Sequence, residues 1–249
     1  MDIRTWGIAL VAVGLATGCA AETEETESAS DEVIGGTETL ERPEIGLFVY
    51  AGKMCTATLV RPDVVLTAAH CVPGSVDDTS RSPGSFDVTT ADRARHRYVV
   101  DEIRTLLTPA DLAPGGQGWR TQDIALLHLA KPVPPEVARP AAVGDGYPAY
   151  GGRVGVFGYG CTSWGAGPDG RRPGTGVKRK KEYAWTQGLQ GPARETHDVC
   201  AGDSGGPLLD VARGAVIGTN SGVVNGNDRF GDVPRNKAKI DAVIAEWSR

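Results

Sequence analysis

From residue 33 onward, short runs of β-branched and apolar residues alternate with turns that are rich in glycine and proline. The chain holds 34 glycines and 16 prolines, which fits many tight connections. Regularly spaced short strands of this kind predict an all-β barrel or sandwich. The runs that predict strands are Gly46–Tyr50, Ala57–Val60, Val64–Ala68, His96–Ile103, Ile124–Leu129, Arg153–Tyr159, Lys178–Thr186, Pro207–Leu209 and Ala215–Thr219.

Two segments depart from this pattern. The stretch 131–140 contains four prolines, which lack the backbone donor that a central strand needs, so it predicts a crossing linker. This linker divides residues 33–249 into two halves, 33–130 and 141–249. In the final stretch, Asn236 to Arg249, apolar residues recur at helical spacing and predict an amphipathic helix that packs on the second half.

The first 32 residues predict a leader and a linker. Thr5 to Gly18 is apolar or small over 14 residues, whereas a membrane-spanning helix needs about 20, so residues 1–18 predict a signal peptide. Cys19 follows directly, and the segment Leu15 to Cys19 resembles a bacterial lipoprotein signal, in which that cysteine is acylated. Ordinary secretion is the alternative. Both interpretations place the protein outside the cytoplasm, as a secreted or envelope-anchored protein with membrane attachment through Cys19 under the first.

Residues 19–32 carry the net negative charge of the chain. The formal charge of the whole chain is −5, but residues 1–32 account for −6 and the remainder is +1. The stretch lacks apolar periodicity and predicts an extended, solvated linker or propeptide. A nucleic-acid partner held by bulk positive charge is excluded.

Four short motifs carry the chemistry. In order they are Val33-Ile-Gly-Gly36, Leu66-Thr-Ala-Ala-His-Cys71, Asp123-Ile-Ala-Leu126 and Cys200-Ala-Gly-Asp-Ser-Gly-Gly-Pro-Leu208. Together they resemble the trypsin/chymotrypsin family of serine endopeptidases across residues 33–249. The resemblance implies two packed Greek-key six-stranded β-barrels with a C-terminal α-helix, and protein or peptide substrates without a metal or cofactor.

The resemblance assigns the catalytic roles. Ser204 is the nucleophile, His70 the base that accepts its proton, and Asp123 the carboxylate that orients the His70 ring. The backbone N–H groups of Gly202 and Ser204 form the oxyanion hole. A non-catalytic, surface-anchored binding module of the same fold is the rival interpretation.

Asp198 lies six residues before Ser204, the offset that in trypsin-like proteases places a carboxylate at the base of the S1 pocket. It predicts cleavage after Arg or Lys, whose charge it would satisfy. The pocket wall departs from the family, because Ser221-Gly222-Val223-Val224 stands where Ser-Trp-Gly is expected. A preference for small or aromatic residues is therefore the alternative.

The resemblance also implies a disulfide between Cys55 and Cys71. In the family Cys200 would pair with a later cysteine, but no cysteine follows it here. Cys161 comes directly after Gly158-Tyr-Gly160, a turn that the resemblance places near the Ser204 loop, and it is the only other cysteine of residues 33–249, so we predict that it pairs with Cys200. Cys19 is then left over for lipidation.

The resemblance further implies an activation step, which would release an ammonium at Val33 that pairs with Asp203. Because Glu32 and not Arg or Lys precedes Val33, the sequence disfavours self-activation of the trypsin type and implies an activating protease that cuts after Glu or is less selective. The basic stretch Lys178 to Lys181 is interpreted as a solvated strand edge.

Overall fold

The structure is a computed structural model that describes residues 33–34, 36–72, 84–108, 122–161, 177–186, 198–224 and 227–249. The predictions for the signal peptide, Cys19 and the acidic linker lie outside the described residues. In the described part of the chain, no helix is both long and apolar enough to span a membrane.

The described residues form short β-strands and one C-terminal α-helix, which confirms the all-β prediction. The strands are β1 Thr37–Glu38, β2 Ile45–Tyr50, β3 Lys53–Arg61, β4 Val64–Thr67, β5 Gly84–Thr89, β6 Arg95–Thr105, β7 Ala125–Leu129, β8 Ala142–Val143, β9 Arg153–Gly158, β10 Arg179–Ala184, β11 Pro207–Asp210, β12 Ala215–Val224 and β13 Asn227–Asp232, followed by helix α1, Val233–Trp247.

The first half is a closed six-stranded barrel in the order β2-β3-β4-β7-β6-β5. Its interior is apolar and fully buried, with Phe48, Leu59, Phe86 and Leu127 among its largest side chains. Closure leaves none of these six strands with a free edge.

The second half contributes six strands to a seven-stranded sheet that β1, from the start of the first half, completes. The order is β1-β10-β9-β11-β12-β13, with β8 pairing in parallel with β12. Among the described residues this sheet is open, whereas the resemblance implied a second closed barrel of six strands. The edge strands of this sheet are β1, which has only two residues, and β13.

A shared apolar seam holds the halves together. Ile45, Leu66 and Ile124 from the first half contact Phe157 and Leu209 from the second in one buried cluster. The seam therefore brings the segments that carry His70, Asp123 and Ser204 close together, because Leu66, Ile124 and Leu209 lie in or next to those segments.

Helix α1 covers the end of this seam and begins three residues before the predicted start. Asp232 caps it by accepting a hydrogen bond from the Arg235 N–H at 3.0 Å, and Pro234 lies in its first turn. The helix buries Ile240 and Ile244, as the helical spacing predicted.

The prediction of a solvated edge at Lys178 to Lys181 is wrong for its first two residues. Lys178 and Arg179 are each only 3% exposed. The reason is that β1 pairs with β10, so β10 is an interior strand of the sheet. The Lys178 ammonium donates to the carbonyl oxygens of Arg42 and Ile45, and burial lowers its pKa to about 7.

Candidate active site

His70 lies on a single 3-10 turn, Ala69–Cys71, directly after strand β4. The neighbouring Cys71 forms a disulfide with Cys55 on β3, and a second disulfide joins Cys161 to Cys200. These are the two pairings that were predicted from the sequence. The first ties the turn that carries His70 to β3, and the second ties the turn that precedes Ser204 to the segment that follows β9.

Asp123 holds His70 at two points. Its Oδ2 lies 2.7 Å from His70 Nδ1, and its Oδ1 accepts the His70 backbone N–H at 2.9 Å. Asp123 is fully buried, while 30% of the His70 side chain is exposed. Because Nδ1 faces the carboxylate, Nε2 is the nitrogen that is left to take up a proton.

Asp123 has two further contacts that no sequence motif indicated. The Ser221 hydroxyl donates to Asp123 Oδ2 at 2.5 Å, and the Thr219 hydroxyl donates to the Asp123 carbonyl oxygen at 2.9 Å. Ser221 had been interpreted only as part of a pocket wall. Its position on β12 makes it a third donor to the buried carboxylate, beside Nδ1 and the backbone N–H of His70.

Ser204 lies in the tight turn that precedes β11. Its carbonyl oxygen accepts the Thr56 backbone N–H at 2.8 Å, which fixes the turn against β3. Gly205, the next residue, has a φ of +78°. A Cβ at Gly205 would lie 2.0 Å from Thr67 Oγ1 and 2.8 Å from the Ala68 backbone nitrogen, so this turn packs directly against the segment that leads into His70.

The structure thus brings His70 and Asp123 into contact and places the Ser204 turn beside them. Among the contacts of the described residues, no hydrogen bond joins the Ser204 hydroxyl to the His70 ring. Such contacts are often long before substrate binds.

Gly202 adopts a conformation that glycine alone accepts readily, with a φ of +103°. A Cβ there would lie 2.8 Å from Gly160 Cα. Its carbonyl oxygen accepts a hydrogen bond from the Thr56 hydroxyl at 2.8 Å, and that hydroxyl also accepts the Tyr159 N–H at 3.0 Å. Thr56 therefore supports the loop on which the oxyanion hole was predicted, and no sequence motif had indicated this role.

The two predicted activation residues are both buried. Asp203 Oδ1 accepts the Gly160 N–H at 2.8 Å and its Oδ2 accepts the Cys200 N–H at 3.0 Å. Val33 is packed in an apolar cluster with Val199 and other residues of the second sheet.

Asp198 is buried, but its carboxylate is already engaged. Oδ1 lies 2.8 Å from the Lys181 ammonium, and Oδ2 accepts the Tyr183 hydroxyl at 2.7 Å. Its carbonyl oxygen accepts the Ile34 N–H at 2.8 Å. The assignment of Asp198 to an S1 pocket stays a prediction, and Lys181 was not foreseen as its partner.

Gly222 stands where the family pattern has a tryptophan in the predicted pocket wall. It has a φ of +116°, and among the described residues no atom lies within 4 Å of a Cβ placed there. A glycine at this position leaves free the space that a larger side chain would fill.

Comparison with known proteins agrees with this geometry. A family model described as Trypsin matches residues 33–242. A trypsin-like protease of Streptomyces glaucescens is 28% identical over 213 residues, covering 80% of this chain and 74% of that protein. Mouse cathepsin G is 30% identical over 197 residues, covering 68% of this chain and 67% of that protein.

The structure is also similar to that of human heparin binding protein. The TM-score is 0.64 at 18% identity, covering 85% of this chain and 96% of that chain. At this identity the likeness shows the fold alone. Because the family model spans most of the sequence, the chain belongs to the trypsin family of serine endopeptidases.

Proposed function

We propose that this endopeptidase cleaves peptide bonds with His70, Asp123 and Ser204 as its catalytic triad. The observation that carries the proposal is the double contact of Asp123 with the His70 ring and backbone, beside the packed Ser204 turn. A carboxylate in this position fixes the tautomer of the ring and stabilises the imidazolium that forms during the reaction.

The reaction proceeds in two halves. Ser204 Oγ attacks the scissile carbonyl carbon while its proton passes to His70 Nε2, and the backbone N–H groups of Gly202 and Ser204 stabilise the resulting oxyanion. The intermediate collapses when His70 returns the proton to the leaving amine, which gives an acyl-enzyme on Ser204. Water then attacks the acyl carbonyl, again with His70 as base, and releases the free acid.

The test is cleavage of a mixed peptide library by protein that begins at Val33, comparing the wild type with His70→Ala and Asp123→Asn. We expect internal peptide bonds to be cut by the wild type and the Asp123→Asn rate to fall by about 10⁴-fold, as in other Ser-His-Asp proteases. Cleavage by His70→Ala at the wild-type rate would contradict the triad.

For the P1 residue we propose Arg or Lys, with Asp198 as the carboxylate that receives it. Support comes from its burial and from its place six residues before Ser204. The ion pair between Asp198 and Lys181, together with the open wall at Gly222, favours a small or aromatic P1 residue as the second candidate. The cleavage profile from the same library distinguishes them.

We further propose that the protein is made as a zymogen. Cleavage after Glu32 by another protease would free the Val33 ammonium to pair with Asp203, and the burial of both residues supports this. The adjacent Ile34 is already bonded to Asp198. N-terminal sequencing of the active form should begin at Val33, and residues upstream of it in fully active protein would contradict the proposal.

The two disulfides fit a protein outside the cytoplasm. We propose that Cys19 is acylated and anchors the uncleaved protein to a membrane. Metabolic labelling with an alkyne fatty acid should mark the wild type and not Cys19→Ser. Equal labelling of both would contradict it.

A further inference from the structure

We propose that Lys181 is a specificity-determining residue that acts as a built-in counter-ion of Asp198 and weakens the preference for basic P1 residues. The proposal rests on the proposed S1 role of Asp198. It adds that the chain itself supplies the cation that a substrate Arg or Lys would otherwise bring.

The contacts of Lys181 define this role. Its ammonium lies 2.8 Å from Asp198 Oδ1 and donates to the Ile34 carbonyl oxygen at 2.9 Å. The Asp198 side chain is 5% exposed and the Lys181 side chain 19%. Because Tyr183 donates to the other carboxylate oxygen, both oxygens of Asp198 are hydrogen-bonded within the protein and one of them faces a charge.

The consequence for specificity follows from electrostatics. A buried carboxylate that lacks a counter-ion is costly, and a substrate guanidinium or ammonium that pairs with it offsets that cost. With Lys181 in place the pair is neutral, and a basic P1 group would bring a second positive charge close to the first. The advantage of a basic over a neutral P1 residue is therefore reduced.

The chain offers a matched control on the same strand. Lys180 is adjacent to Lys181 on β10, and its ammonium contacts Glu41 at 2.5 Å instead of Asp198. Replacing Lys180 removes the same charge from the protein without freeing Asp198.

The primary test is binding rather than catalysis. Protein that begins at Val33 and carries Ser204→Ala is titrated calorimetrically with benzamidine, a cationic mimic of an arginine side chain, and with neutral benzamide. We expect Lys181→Met to bind benzamidine at least about tenfold more tightly, the scale of one charge-assisted hydrogen bond, with benzamide unchanged. Lys180→Met should match the parent. A Lys181→Met protein that binds benzamidine no more tightly than the parent overturns the proposal.

Two further variants keep the test decisive. Lys181→Gln retains a donor of similar length but no charge, so it should show the same gain even if the methionine variant fails to fold. Asp198→Asn should abolish the gain in the Lys181→Gln background. In the parent it should weaken benzamidine binding, because Lys181 would then face the cation without its counter-ion. A gain that survives Asp198→Asn overturns the proposal.

Catalytic profiling separates this inference from the proposed function. In active enzyme, the ratio of kcat/KM for Arg over Ala at P1 should rise about tenfold in Lys181→Gln. Absence of any turnover would contradict the proposed function, while benzamidine binding to the Ser204→Ala series would still decide the role of Lys181.

Discussion

The Thr56 hydroxyl donates to the carbonyl oxygen of Gly202 at 2.8 Å, across 146 residues of sequence. Through this contact a strand of the first barrel supports the loop on which the oxyanion hole is proposed. The same hydroxyl accepts the Tyr159 N–H, and the Thr56 N–H holds the Ser204 carbonyl. Thr56 thus connects three segments of the site.

Replacing Thr56 by valine tests this link, because valine preserves the shape and removes the hydroxyl. The Gly202 carbonyl and the Tyr159 N–H would each lose a buried partner, and the loop would be less well ordered. We expect kcat to fall by about 10- to 100-fold, since one full oxyanion donor is worth more than this, with KM changed by less than about threefold.

The control is Thr56→Ser, which keeps the hydroxyl and should retain most of kcat. Affinity for a peptide aldehyde, which forms a tetrahedral adduct on the nucleophile, should fall in parallel with kcat in Thr56→Val. Unchanged kcat in Thr56→Val would show that this hydroxyl does not position the loop.

A second test compares alanine substitutions at Gly205 and Gly52, because these glycines have nearly the same φ angle, +78° and +77°. A Cβ at Gly205 would overlap Thr67 Oγ1 at 2.0 Å, whereas one at Gly52 would meet no atom within 4 Å. We expect Gly205→Ala to lower the free energy of unfolding by about 2 to 5 kcal/mol, from backbone strain and overpacking together. Gly52→Ala should lower the free energy of unfolding by only about 1 kcal/mol, from backbone strain alone. If urea unfolding shows that the two variants lose the same free energy of unfolding, the result would contradict the tight packing of the Ser204 turn on the His70 segment.

Lys178 makes stability depend on pH. Burial is the main cause that lowers its pKa to about 7 from 10.5, and Glu44 opposes the shift in part. Between these values the unfolded chain holds a proton that the folded protein has lost, so the free energy of unfolding rises with pH across this window. The destabilisation is fully present below pH 7.

The measurement is the difference in unfolding free energy between the wild type and Lys178→Met from pH 6.5 to 9.5. As the pH rises above 7, the free energy of unfolding of the wild type should increase relative to that of Lys178→Met by up to about 1.4 kcal/mol per pH unit. The lost hydrogen bonds to Arg42 and Ile45 add a constant that does not change this slope. A difference independent of pH would contradict the lowered pKa.

The sequence identified those parts of the site that lie in short motifs. His70, Asp123 and the Ser204 turn each belong to a run whose residue types are restricted by chemistry, so the roles proposed for them could be stated without coordinates. Thr56, Ser221 and Lys181 could not be found in this way. Each acts through a hydrogen bond to a residue that is distant in sequence, and none lies in a distinctive local pattern.

The strands also divide into those that the sequence predicted and those that it did not. The apolar runs at β2, β7 and β9 were predicted because burial selects β-branched and aromatic residues. Strands β5 and β13, with the sequences GSFDVT and NDRFGD, were missed because glycine and acidic residues disfavour strands locally. Strand β5 forms because β2 and β6 pair with it on both sides, so tertiary structure overrides local propensity.

The central claim is that Ser204 is a nucleophile activated by His70, and covalent labelling tests it most directly. Protein that begins at Val33 is treated with a fluorophosphonate, which reacts with activated serine hydroxyls, and the adduct is located by mass spectrometry. We predict one adduct, on Ser204, that is absent in Ser204→Ala and strongly reduced in His70→Ala. Folded protein that begins at Val33 and takes up no label, or is labelled equally after Ser204→Ala, would contradict the account.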